Sequence, residues 1–376
     1  MIDVKGYLMH MSSTSKLGDR WSVLQQFYEK RLWHELTIEL LSFIKDDYFK
    51  TNKGLIEIYE NFLSDFEHRI NHLSLVEMII IISQEVTDYD KATELFKKTQ
   101  DKVKNTKEAN ILCLTSIGLL HLKANKLEET KSVIKEAQNL LDTLDGITTV
   151  HGRFYDLSST YSKISGQFNE YYRDALRFLG CMDISTLEEK DLQQRAFNLS
   201  LAALLGNEVY NFGELLAHEV LQHLKKTDFA WLIDVLFAFN SGDIQKFIDL
   251  KPLWSKQPDL AVNENALLQK ITLLSLMELT FKRKSNDRSF TFDLISQESH
   301  LPKGEVELLV MKALSFGLIK GFIDQVDEVV HVTWVQPRVL DTNQIRTLRD
   351  LLGNWSEKVK NSVYLIETQA PELLVT

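Results

Sequence analysis

The amino-acid sequence predicts a mainly α-helical protein: an N-terminal right-handed helical-repeat solenoid, a winged-helix subdomain with a small β-hairpin wing, and a long C-terminal helix. Three observations carry this reading. The 376 residues include only 15 Gly and 5 Pro, well under the usual shares of about 7% and 5%, so turns that need special backbone angles are scarce and helices run long. From residue 19 to about residue 205, apolar side chains recur at helical spacing between short polar or glycine breaks. Between Ser289 and Val335 the period changes to short helices followed by two β-rich runs.

Composition narrows the partners. At roughly 150 residues per domain the length suits two or three packed units. Lys plus Arg total 43 against 53 Asp plus Glu, a formal charge of −10, which repels a phosphate backbone, so nucleic acid is not expected as a partner. Cys113 and Cys181 are far apart, each within an apolar helical pattern, and read as two buried thiols in a reducing compartment. The apolar run Met78–Ile82 is five residues long, far short of the roughly 20 a membrane helix needs. The N-terminus has no charged start followed by an apolar block. The expected location is therefore cytoplasm and nucleus, with no membrane contact.

Residues 1–18, which include the polar run Met9-His10-Met11-Ser12-Ser13-Thr14-Ser15, read as a flexible arm. Residues 19–210 read as the repeat array. Leu55, Ile58, Tyr59, Phe62 and Phe66 form one helical stripe; Ala92, Leu95, Phe96 and Val103 belong to another. A clearer hairpin runs from Ile111 to Lys123, turns at Ala124-Asn125-Lys126 and returns over Leu127–Leu141 with Leu127, Thr130, Ile134, Ala137 and Leu141 inward. A second spans Phe154–Ile164, breaks at Gly166, and continues over Tyr171–Leu179 to Gly180. The layout is similar to a tetratricopeptide hairpin, but the period is irregular and that motif's aromatic and glycine signature is missing. A solenoid is predicted, not a regular tetratricopeptide array. Such an array presents a curved surface rather than a pocket.

Residues 211–340 read as a second domain, helical over 211–284 and a winged helix over 285–340. Helices are expected over Phe212–Leu224, Asp228–Phe239 and Ile244–Leu250, the last capped by Asp243. Pro258 can open a long helix carrying Leu267, Ile271, Leu274, Met277 and Phe281 on one face, closed by Lys282-Arg283-Lys284. Phe292–Ser299 and Gly304–Phe316 follow as helices, Gly317 closes the second, and the runs Leu318–Asp324 and Val329–Val335 flank the acidic turn Gln325-Val326-Asp327-Glu328 as a hairpin. Pro337 ends the wing. Asp341 with Gln344 forms a capping box for a last helix over 341–376, whose stripe of Ile345, Leu348, Leu352, Trp355, Val359 and Ile366 has the three-four spacing of bundle helices.

Catalytic signatures are missing. His34-Glu35-Leu36-Thr37-Ile38 places Ile where a zinc-binding pair needs a second His, so His34 reads as a polar surface residue of an amphipathic helix. Neither GxxxxGK[ST] nor GxGxxG occurs, and no strand-turn-helix elbow exposes a serine. No metal or cofactor is expected. Winged helices often read DNA, but here the second helix balances Lys303 and Lys312 against Glu305 and Glu307, beside a wing turn with Asp324, Asp327 and Glu328.

Several stretches point to a family. They are His151-Gly-Arg-Phe-Tyr-Asp-Leu-Ser-Ser159, Tyr171-Tyr-Arg-Asp-Ala-Leu-Arg-Phe-Leu-Gly-Cys181, Asn211-Phe-Gly-Glu-Leu-Leu216, Trp231-Leu-Ile-Asp234, Ala238-Phe-Asn-Ser-Gly242, Glu305-Val-Glu-Leu-Leu-Val-Met-Lys-Ala-Leu314 and Val332-Thr-Trp-Val-Gln-Pro-Arg-Val339. With the order repeats, winged helix, last helix, they resemble the PCI-domain subunits of the proteasome regulatory lid over nearly the whole chain. PCI scaffolds of the signalosome and of a translation-initiation complex share the layout, and they stand as alternatives beside a winged-helix nucleic-acid-binding protein. The resemblance implies a non-catalytic scaffold in a hetero-oligomer. Its partners would be other PCI-domain lid subunits and metalloprotease-fold (MPN) subunits, including the deubiquitinase. PCI subunits pair winged helices edge to edge and gather their C-terminal helices in a bundle. The residues expected at such interfaces are Phe322, Ile323, Val330, Val332 and Trp334 on the wing, and Ile345, Leu348, Leu352, Trp355, Val359 and Ile366 on the last helix.

Overall fold

A computed structural model describes residues 4–14, 17–46, 48–49, 54–86, 88–183, 187–283, 287–340 and 342–369. The chain divides into two compact units, Met1–Asp183 and Ile184–Thr376.

The first unit is a succession of helical hairpins. Its helices are Val4–Thr14, Gly18–Glu29, Trp33–Ile44, a continuous helical stretch over 55–66 with a π-turn at Tyr59–Leu63, His72–Ser83, Tyr89–Val103, Lys107–Lys123, Leu127–Leu141, Thr149–Ile164 and Phe168–Cys181. Helix Lys107–Lys123 is the axle: it buries residues on every face, Ile111, Leu112, Cys113, Leu114 and Ile117 among them, because helices pack around it from several sides. The hairpin turns use left-handed residues where the chain reverses, Asn125 at φ 62° and Gly166 at φ 72°. Of the expected inward stripe, Thr130, Ala137 and Leu141 are buried, and Leu127 and Ile134 are half-buried. The Glu85 carboxylate accepts hydrogen bonds from the Gly54 and Leu55 amides at 3.2 and 2.9 Å, satisfying donors that the start of the 55–66 helix leaves free.

The flexible arm expected over 1–18 is corrected by the structure, which forms helix Val4–Thr14. Val4, Tyr7, Leu8 and Met11 sit at i, i+3, i+4 and i+7, a helical stripe that the polar Ser12-Ser13-Thr14 run after it obscured. Leu8 is fully buried, and the Tyr7 ring meets Trp21 edge-on at 6.1 Å.

The expected boundary at 210 falls instead at Asp183. Helix Glu189–Leu205 joins the second unit because it packs on the 219–224 and 231–241 segments and on helix Glu264–Lys282. Lys270 on the last of these is buried, and its ammonium donates to the carbonyls of Ala203, Leu204 and Gly206 at 2.7, 3.1 and 2.6 Å. When protonated, Lys270 offers three donors to three carbonyls that the helix end leaves without partners; once the proton is shed it offers two.

Two helices of this unit are shorter than the sequence suggested. Phe212–Leu224 resolves into Gly213–Ala217 and a 3₁₀ turn Glu219–Leu224; Pro258 opens only Pro258–Val262, and the long helix restarts at Glu264. Helix Trp231–Ser241 ends at Gly242 in the left-handed region, and the Asp243 side chain caps Ile244–Asp249 by accepting from the Lys246 amide.

The winged helix contains β1 (Ser289–Thr291), helices Phe292–Ser299 and Lys303–Ser315, β2 (Ile319–Asp324) and β3 (Val329–Val335). The strands form an antiparallel sheet in the order β1-β3-β2, with Phe290 opposite Val330 and Phe322 opposite His331. A bulge after Lys320 brings Gly321 against β3, where a Cβ would lie 2.0 Å from the His331 carbonyl oxygen, so no side chain fits there. The last element is helix Thr342–Gln369.

Candidate interaction surfaces

The wing's candidate residues divide between the two faces of the sheet. Val330 and Val332 are 1% and 4% exposed and form part of the core. Their expected place at an interface is therefore corrected. Helix Glu264–Lys282 packs on β3 and covers that face; β1, three residues too short to register as a strand, also pairs with β3 and makes it the central strand rather than an exposed edge. β2 lies at the edge of the sheet, and its outward backbone groups are open to another strand. On the outer face Phe322 lies against His331 with ring centroids 4.7 Å apart, and the Lys320 ammonium sits 4.9 Å over the Trp334 ring. Phe322 and Trp334 are exposed, and Ile323 is half-buried.

The lysines of the second helix of the winged motif have partners within the fold. Lys303 at its start forms ion pairs with Asp293 and Glu328, and those two carboxylates raise its pKa. The Lys312 ammonium donates to the Gln269 side chain at 2.7 Å. Both lysines that would neutralise a backbone are already engaged within the fold.

The C-terminal helix is the most exposed element. Its 28 residues extend about 42 Å at 1.5 Å per residue, and every residue from Ile345 to Gln369 is exposed. Ile345, Leu348, Leu352, Trp355, Val359 and Ile366 follow the heptad spacing of a bundle seam, with Leu351 and Val363 alongside. The capping box at Asp341 and Gln344 lies partly outside the described residues.

A strap of residues whose mutual contacts the sequence did not reveal governs how this helix leaves the winged helix. The Arg338 guanidinium pairs with Glu278, donates to the Asn240 carbonyl at 3.0 Å, and lies 4.6 Å from the Phe281 ring centroid. The Asn211 side-chain oxygen accepts from the amides of Gly213 and Val339 at 3.3 and 3.4 Å. Val339 packs so closely on Gly213 that a Cβ there would lie 2.6 Å from the Val339 Cβ. These partners are far apart in sequence, and no local pattern announces them.

Burial pushes the Cys113 thiol up to about 12 and raises that of Cys181 as well, which disfavours the reactive thiolate. Cys181, expected to be buried, is only partly so, because it ends helix Phe168–Cys181. His34 is exposed on helix Trp33–Ile44. Among the described residues no cluster of three or more His, Cys, Asp or Glu side chains is placed to hold a metal ion, and no helix is long and apolar enough to cross a membrane.

Helical hairpins leading into a winged helix and a free terminal helix define the PCI-domain class of structural subunits. A model of the PCI domain matches residues 248–334, and a model of the PSD13 N-terminal repeats matches residues 20–236. The chain belongs to the family of 26S proteasome non-ATPase regulatory subunit 13. It is 38% identical to that subunit's homolog B from Arabidopsis thaliana, with 96% of each chain covered, and 38% identical to the Dictyostelium discoideum subunit, with 98% of each covered. Likeness to translation initiation is weaker and partial: eukaryotic translation initiation factor 3 subunit M of Phaeosphaeria nodorum is 24% identical over 56% of this chain and 47% of its own.

Proposed function

We propose that the chain is a non-catalytic structural subunit of the 26S proteasome regulatory lid, needed for lid assembly and so for ATP- and ubiquitin-dependent protein degradation in cytoplasm and nucleus. One observation carries the reading beyond family membership: a 28-residue helix holds a heptad stripe of apolar side chains that no described residue of its own chain covers. Exposed apolar stripes of that length are covered by partner helices. The outer wing face with Phe322 and Trp334, together with the edge of β2, supplies a second contact for a neighbouring PCI-domain subunit. The metalloprotease-fold subunits, the deubiquitinase among them, are further members of the same hetero-oligomer, and ubiquitin removal belongs to that neighbour. Co-expression of the full chain with the other lid subunits, followed by native mass spectrometry, tests the assignment. Stoichiometric incorporation is expected. A chain that stays out of the particle, or that binds nucleotide or zinc stoichiometrically in equilibrium dialysis, would overturn it.

A further inference from the structure

Where the C-terminal helix leaves the second unit, a groove of about 980 Å³ opens, lined in part by Leu216, Phe237, Leu250, Val339, Leu340 and Ile345. That volume is at the upper end of the roughly 300–1,000 Å³ of ligand pockets. Phe237, Val339, Leu340 and Ile345 are all exposed, although each is apolar, so the groove concentrates unburied hydrophobic surface at one place. Ile345 belongs both to the groove and to the heptad stripe, of which it is the first residue. A partner helix lying along the stripe therefore meets the groove at one end of its path.

The charges around the groove are unbalanced. Its charged lining residues are Asp234, Asp249 and Lys246, and Lys246 is already paired with Asp243 at 3.3 Å. Asp249 accepts from the Gln245 amide at 3.0 Å, and among the described residues no cation pairs with Asp234 or Asp249. Two carboxylates beside exposed apolar side chains complement a partner that brings an apolar anchor with a cation next to it.

We propose that this groove receives the end of a partner subunit's helix, inserting one large aliphatic or aromatic side chain against Phe237 and Ile345 and setting an adjacent Lys or Arg against Asp234 and Asp249. The proposal rests on the reading of the C-terminal helix as an assembly element and extends it to a second, specificity-setting contact. The stripe supplies apolar area that many helices could cover. The groove adds a fixed end point and a charge requirement, which set register and select the partner.

The test uses the full chain co-expressed with the remaining lid subunits and compares three variants: Phe237→Glu, Asp234→Lys with Asp249→Lys, and Leu352→Asp with Trp355→Asp on the stripe. Each is first checked by circular dichroism and melting. Phe237, Asp234 and Asp249 are exposed, so their replacement is expected to leave the fold intact. Phe237→Glu should weaken retention in the lid about tenfold or more, and the charge reversal should do likewise while also changing how salt affects binding. Should Phe237→Glu fail to fold, the charge-reversal pair decides. Normal retention of the folded groove variants, with loss of the stripe variant, would overturn the groove proposal and leave the assembly reading standing. Normal retention of all three would overturn both.

Discussion

Arg338 and Glu278 pair within a nearly buried site, their side chains 6% and 13% exposed, and through that pair the segment after the wing is held on helix Glu264–Lys282. Removing one partner leaves the other charge with little water around it, which typically costs about 3–5 kcal/mol. Arg338→Met should therefore lower the urea midpoint strongly. Adding Glu278→Gln should recover part of the loss, because it removes a nearly buried carboxylate left to the more distant Lys282 ammonium at 4.0 Å. Equal stability of the single and double variants would show that the pair does not act as a coupled unit.

Lys270 gives a pH signature. Burial lowers its pKa from 10.5 to about 7 in the folded chain. Between about pH 7 and 10.5 the unfolded chain holds a proton that the folded chain has shed, so the unfolded state binds more protons and stability rises with pH across that window. The contribution is present in full above the unfolded value and is lost as pH falls through the folded one. Denaturant titrations from pH 7 to 10 on the wild type and on Lys270→Met should differ in slope by up to about 1.4 kcal/mol per pH unit. Parallel curves would mean that the three carbonyls keep Lys270 charged throughout.

Gly321 tests the wing. A methyl group at this position would collide with the His331 carbonyl oxygen, so Gly321→Ala should break the bulge register at a cost of roughly 1–3 kcal/mol. Amide hydrogen exchange should show lost protection at Val332 and its neighbours in β3 first. Unchanged protection would show that the strands shift apart without penalty.

Legibility in the sequence followed the range of the interactions. Hairpins such as 107–141, the β2-β3 wing and the terminal stripe are written in periodicities of a few residues, and each was readable. The strap was not: Asn211 meets Val339 across 128 positions, and Arg338 meets Asn240 across 98. The unit boundary was equally hidden, because Lys270 reads as one polar residue in an amphipathic helix until the end of helix Glu189–Leu205 is folded against it. The candidate interface followed the same rule. Alternation along β3 marks Val330 and Val332 as one face, but only the packing of helix Glu264–Lys282 on β3 shows that this face is the core.

The terminal helix provides the decisive test of function. With every residue from Ile345 to Gln369 exposed, it contributes little to the core of its own unit. Deleting residues 341–376 should therefore leave a chain with nearly unchanged melting temperature and unchanged helical signal per remaining residue. Incorporation into the lid should fall sharply, because burying a side chain such as Leu352 or Trp355 in a bundle contributes about 1.5–3 kcal/mol and several act together. Leu352→Asp with Trp355→Asp should reproduce the deletion without shortening the chain, since a carboxylate placed in a bundle seam must be desolvated or the seam must open. Native gels of reconstituted lid report the outcome directly. If the double variant enters the particle as the wild type does, the stripe is not the assembly surface, and the wing face around Phe322 and Trp334 must carry the attachment instead.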